Sequence, residues 1–191
     1  MSDPTFHDRH RWDLDAWPEM YGTLKELQVT IFVAEPGLEL NLMAFTMASL
    51  TAGCVHCQAH GAYGLDGLGV DIDKITDMWA FEQSERYTDR ERAALRFAMA
   101  AGAVPNAVGP SHHEDLRQHF SDAEARTLLG VVALSGFMNR YNDSLATVTD
   151  NASADWAEVH LSPLGWQRGK HAGADDERRP APPFGDHTSS T

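Results

Sequence analysis

In three segments read as helix starts, the chain sets a hydroxyl three residues ahead of a glutamate and follows the pair with apolar residues at helical spacing. The segments are Thr88-Asp89-Arg90-Glu91, Ser111-His112-His113-Glu114 and Ser121-Asp122-Ala123-Glu124. In such a box the hydroxyl oxygen accepts from a first-turn amide, and the carboxylate reaches back to the amide of the hydroxyl residue. Two donors that a helix start leaves unpaired are then satisfied together. Asp71 is placed to cap a further run through Ile72, Ile75, Met78 and Trp79. The nearest strand signal, Gln28 to Val33, falls inside a longer pattern of helical period. The spacing therefore predicts an all-α fold, with helices over 20–33, 38–51, 54–66, 72–84, 89–102, 111–119 and 122–148.

Two of these helices are apolar on most sides. They are Leu38 to Leu50, and the run after Ser121 that carries Leu128, Leu129, Val132, Phe137, Met138 and Tyr141. Such helices belong in a large core or between subunits. At 191 residues the chain is of ordinary single-domain size, so a homo-oligomer with helices packed between subunits is expected. The organisation reads as an N-terminal arm over 1–18, a helical domain over 19–150, a docking segment over 151–171 and a disordered tail over 172–191. In the docking segment Trp156, Leu161, Leu164 and Trp166 are suited to pack on the core, whereas the tail is rich in Pro, Ser and charge without periodicity. A net charge of −13 argues against nucleic acid or an anionic membrane as partner. No run approaches the roughly 20 apolar residues that span a bilayer, and the polar first residues do not resemble a signal peptide. A cytoplasmic location is expected.

The chain has two cysteines, Cys54 and Cys57. A bridge between them would close too short a loop to constrain the unfolded chain much, which points to redox or metal chemistry. Gly53 permits a sharp turn after one apolar helix, so that Cys54 opens the next. Residues i and i+3 share a helix face, which lets Cys54 and Cys57 meet. The unpaired amides and positive dipole end there favour thiolate over thiol. His60 is i+3 from Cys57 and can take up its proton, and His56 is i,i+4 from His60. Thiolate, second thiol and base together make a two-electron thiol–disulfide centre. Two other readings stay open: inert buried thiols, or zinc held by Cys54, His56, Cys57 and His60. Four ligands from two turns of one helix cannot easily surround a tetrahedral ion, so neither metal nor cofactor is expected. Asn139, Arg140, Asn142 and Asp143 interrupt an apolar helix and read as a structural polar network. Lys170 and His171 read as surface loop, and Trp79 and Phe81 as core.

The segment Gly53-Cys54-Val55-His56-Cys57-Gln58-Ala59-His60, with Tyr87 to Ala98 and Phe120 to Asp143 following in order, resembles the carboxymuconolactone decarboxylase superfamily. Within it the likeness is to the alkyl hydroperoxidase D-like, peroxidase-related branch, over about residues 38–150. The resemblance implies an all-α helical bundle, helices packed between subunits, and reduction of a hydroperoxide substrate. It assigns Cys57 as the peroxidatic and Cys54 as the resolving cysteine, with a thioredoxin- or lipoyl-type dithiol as reductant. Two positions depart from the family pattern. The histidine follows the second cysteine by three residues rather than four. The family glutamate, twelve residues before the first cysteine, is Leu42 here, and Glu39, one turn earlier, is the carboxylate placed to substitute. Alternatives are a thiol–disulfide sensor or exchange protein, and a cysteine-independent decarboxylase.

Overall fold

The computed structural model describes residues 11–173. All regular structure among them is helical: α1 (Pro18–Phe32), α2 (Leu38–Ala52), α3 (Val55–Gly67), α4 (Ile72–Thr76), α5 (Asp89–Gly102), α6 (Pro110–His119), α7 (Asp122–Leu145) and α8 (Asn151–His160). The expected tail from 174 onward and residues 1–10 of the arm lie outside the described residues.

Two of the three boxes form as the sequence predicts. Thr88 Oγ1 accepts from the Glu91 amide at 3.2 Å and Glu91 Oε2 from the Thr88 amide at 2.8 Å. Ser121 and Glu124 repeat this at 3.3 and 2.8 Å. The third does not form. Pro110, which has no N–H to lose, takes the first helical position, and the capping residue is Gly109, whose amide donates to His112 Nδ1 at 3.1 Å.

The helix expected over 72–84 breaks early. After α4 the chain tightens into a 3₁₀ turn, Asp77–Ala80. Ser84 Oγ then donates to Asp77 at 2.9 Å, and Arg92 takes the freed carbonyls of Phe81 and Ser84 at 3.3 and 2.7 Å. Phe81 reaches the core by this route, while Trp79, expected there too, stays 63% exposed. α7 ends at Leu145 instead of 148, because Ala146 adopts a left-handed φ of 54°. The chain then re-enters helix as α8, which the sequence reading did not anticipate.

α2 is the central helix, with α3, α5 and α7 against it. Met43, Ala44, Met47 and Ala48 are buried there, so neighbours within one chain account for its all-round apolar character. The contacts are close. A Cβ at Gly102 of α5 would stand 2.7 Å from the Ala48 carbonyl oxygen. Toward α7, Ser49 Oγ donates to Asn139 Oδ1 at 3.0 Å, and Asn139 Nδ2 to Ser135 Oγ at 3.1 Å, which gives Asn139 the structural role expected of it. Asn41 Nδ2 ties α2 to the end of α1 through the carbonyls of Ile31, Phe32 and Ala34. Residues 151–171 lie along α3: Trp156 Nε1 donates to Asp66 at 2.8 Å and Trp166 Nε1 to the Val55 carbonyl at 2.9 Å. No helix among the described residues is long and apolar enough to cross a membrane.

The glycine contacts give a paired expectation. Gly102→Ala forces α5 away from α2 and should lower the unfolding free energy by about 1–3 kcal/mol. Gly22→Ala, in α1 with nothing within 4 Å of the added carbon, should raise it by roughly 0.5–1 kcal/mol. Urea unfolding of the two variants beside the parent protein reads both signs.

Candidate active site

Gly53, at φ 77°, turns the chain between α2 and α3, and Cys54 becomes the residue that caps α3. Its sulfur accepts from the Cys57 amide at 3.4 Å. One turn along, Cys57 Sγ lies 2.7 Å from Cys54 Sγ; both are free thiols in hydrogen-bond contact. Both are enclosed, at 1% and 2% exposure. Asn142 of α7 donates its side-chain N–H to Cys57 Sγ at 3.7 Å. The hydrogen bond to the Cys57 side chain holds the Cys54 thiol below its ordinary range, against the opposing effect of burial. Burial first, and then the neighbouring Cys54, push Cys57 well up. The first negative charge on the reduced pair therefore resides on Cys54, at the helix N-terminus.

His60 stands between two acceptors. Its Nδ1 faces the His56 carbonyl at 2.9 Å and its Nε2 lies 2.6 Å from Asp150 Oδ2. That oxygen accepts no well-aligned hydrogen bond, so the contact is an electrostatic approach of the two groups. Both neighbouring oxygens are acceptors. Asp150 is itself fixed as the cap of α8, accepting from the Ser153 amide at 3.0 Å. Burial pushes its carboxyl up, but His60 and the Ser153 amide outweigh this and hold it below the usual carboxylate range.

The carboxylate beside His60 is thus Asp150, where the sequence reading looked to Glu39. Glu39 is placed elsewhere: 55% exposed on the first turn of α2, with its nearest charged partner Lys74 Nζ at 3.8 Å. Leu42, at the family's glutamate position, packs against Gly64 of α3, so that position serves helix packing here. Asp150 could have been suspected, since an Asp ahead of Asn151-Ala152-Ser153-Ala154 is a plausible helix start.

His56 lies between two other imidazoles, its ring centroid 4.3 Å from that of His60 and 5.7 Å from that of His171. Its Nδ1 meets the Thr149 hydroxyl at 3.2 Å. Burial, and then the charges of His60 and His171, hold His56 well below the usual histidine range. His171 is not surface loop: it is fully buried, with Nδ1 2.7 Å from the Thr147 carbonyl and Nε2 3.4 Å from Asp143 Oδ1. Lys170 Nζ meets the other Asp143 oxygen at 2.9 Å. The four polar residues late in α7 thus divide. Asn139 is structural, Asn142 touches the Cys57 sulfur, Asp143 holds the C-terminal segment, and exposed Arg140 donates to the Gly136 carbonyl. Among the described residues no group of three or more histidine, cysteine or acidic side chains converges as a metal site.

The depressed value of His56 carries a sign. The unfolded chain binds a proton there below about pH 6.5 that the folded chain refuses. Stability is therefore full above that pH and is lost as pH falls toward the lower folded value, by at most about 1.4 kcal/mol per pH unit from this residue. Denaturation midpoints between pH 7 and 5 should fall less steeply for His56→Gln than for the parent protein.

No protein-family profile and no curated protein matches the sequence. Solved structures do. The debrominase Bmp8, in a cysteine-to-alanine variant bound to 2,3,4-tribromopyrrole, aligns with a TM-score of 0.72 at 24% identity, over 79% of each chain. Its apo form aligns equally well over 78% of this chain. A protein of unknown function from Agrobacterium tumefaciens, suggested to be the antioxidant defence protein AhpD, aligns at 0.64 and 23% identity, over 69% of this chain and 90% of its own. The chain shares the all-helical fold of these solved structures.

Proposed function

We propose that this chain is a thiol-dependent hydroperoxide reductase whose working centre is the Cys54–Cys57 pair. The observation that carries the reading is the 2.7 Å contact of two free thiols at a helix N-terminus. The resemblance assigns the attack to Cys57, whereas the resting charge lies on Cys54, and the short contact accommodates both. Cys57 passes its proton to the Cys54 thiolate and attacks the distal peroxide oxygen. The O–O bond breaks, a sulfenic acid forms on Cys57, and the alkoxide leaves as alcohol with a proton that His60 has stored. Cys54 then attacks the Cys57 sulfur, the S–S bond forms, and hydroxide departs as water with the Cys54 proton. Asp150 is the positioning residue that orients His60.

Burial bears on the alternatives. Sulfurs 1–2% exposed suit a small oxidant better than a folded protein disulfide. For the same reason a lipoyl arm, or another slender dithiol, is the favoured reductant over a folded thioredoxin. A second reading, reductive removal of halogen from an aromatic ring, is favoured by one observation, the debrominase aligned over 79% of this chain. There the pair would supply two electrons, releasing halide and closing the same disulfide. A cysteine-independent decarboxylase has no use for the enclosed thiols.

Intact mass after one equivalent of an organic hydroperoxide tests the reading. The parent protein should lose two hydrogens quickly, Cys57→Ser should not react, and Cys54→Ser should retain a trapped sulfenic acid on Cys57. Oxidation that survives in Cys57→Ser overturns that assignment. Thiols that persist with hydroperoxide but are consumed by tribromopyrrole support the halogen reading instead. Asp150→Asn should slow oxidation by about a hundredfold, the low end of proton-transfer catalysis. Stopped-flow rates across pH 5–9 check this, and an unchanged rate removes Asp150 from the mechanism.

A further inference from the structure

We propose that His171, delivered by the C-terminal segment, is a positioning residue of the dithiol centre: through Asp143 it holds the end of α7 where Asn142 donates to Cys57. The inference rests on the cysteine pair being the working centre. His171 has no exposed surface although it ends a single short 3₁₀ turn, Gly169–His171, beyond α8. An imidazole buried so completely must have both nitrogens satisfied. The Thr147 carbonyl, which can only accept, fixes the proton on Nδ1 at 2.7 Å. Nε2 is left to face Asp143 at 3.4 Å. The backbone is held as well, since the His171 carbonyl accepts from the Thr149 amide at 3.0 Å.

Asp143 explains the arrangement. It sits in the last turn of α7, at the negative end of the helix dipole, where a carboxylate is unfavourable without a partner. Lys170 takes one of its oxygens at 2.9 Å and His171 the other, so two consecutive residues of the C-terminal segment grip a single side chain. The residue before Asp143 is Asn142, which is buried, with its carbonyl accepting from the Thr147 amide at 3.0 Å and its side chain 3.7 Å from Cys57 Sγ. A hydrogen bond to sulfur is long and easily lost, so a small retreat of this turn removes it. An N–H donor favours the charged form of the sulfur that receives it, which links the C-terminal segment to the acidity of Cys57.

The test reads that acidity without any substrate. With Cys54→Ser as background, Cys57 is the sole thiol, and its alkylation by iodoacetamide is followed by mass against pH. Better access raises the plateau rate, whereas altered positioning moves the midpoint. The groups around Cys57 are His56 and His60 on α3, Asp143 on α7, Asp150 ahead of α8, and Lys170 and His171. All are retained except the residue varied. In His171→Asn the amide replaces Nδ1 and keeps the Thr147 bond, but the link to Asp143 is lost. In His171→Gln the amide replaces Nε2 and keeps that link. His171→Asn and Asn142→Ala should each move the midpoint upward by about half a pH unit, a threefold change in thiolate. The double variant should move it no further, and His171→Gln should leave it in place. An unmoved midpoint in His171→Asn, or shifts that add in the double variant, overturns the proposal. Should His171→Asn not fold, a shifted midpoint in His171→Gln overturns it and an unshifted one supports it. Because no peroxide is used, failure of the hydroperoxide reading leaves this result intact, and failure here leaves the peroxide experiment unaffected.

Discussion

The start of α3 lies inside the protein, and its first amides must find acceptors there without help from water. Cys54 supplies one, with its sulfur receiving the Cys57 amide at 3.4 Å. This capping contact fixes the site. It requires the turn at Gly53, which directs α3 back along α2, and it holds the sulfur at the positive end of the helix dipole. One helical turn then brings Cys57 within 2.7 Å of Cys54, and the next carries His60 to the same end of the bundle. A thiol performs a structural task commonly given to Ser or Asp, so the reactive group and the helix cap are one side chain.

Around that start the protein manages charge in a symmetrical way. His60 and His171 each lie between a backbone carbonyl at Nδ1 and an aspartate at Nε2: His56 O with Asp150, and Thr147 O with Asp143. His56 lies between them with a threonine hydroxyl as its side-chain partner, and burial keeps it neutral. Each outer imidazole has its own aspartate beside it. Two carboxylates are in this way kept near a thiolate without one bare negative charge facing another. Burial strengthens the contacts of His56 and Asp150, which little water reaches, whereas Asp143, 45% exposed, is more strongly screened.

The architecture and the pairing of the two cysteines were legible in the residues. Helix starts at Thr88 and Ser121 are local events, decided by a hydroxyl and a glutamate three residues apart, and the structure places them where the pattern does. The pairing of Cys54 with Cys57 is also local, since one helical turn sets it. Local too, yet unread, was the start of α8 at Asp150, because the short Ala-rich run after it has weak apolar periodicity. The early end of the helix from Ile72 was hidden for another reason: Arg92, far beyond the last residue of α4, takes carbonyls that the periodicity assigned to the helix.

The long-range partners are what only the tertiary structure decided. Which carboxylate serves His60 could not be read from spacing, because Glu39 and Asp150 both carry the required group, and helix packing alone brings one of them within 2.6 Å. His171 is further still in sequence, and its burial depends on a segment that doubles back over α3. Spacing along one helix is fixed by the helix itself, so the sequence determined the thiol pair and its cap. Contacts between helices depend on how whole faces pack, so the aspartates beside His60 and His171 were settled only when the bundle closed.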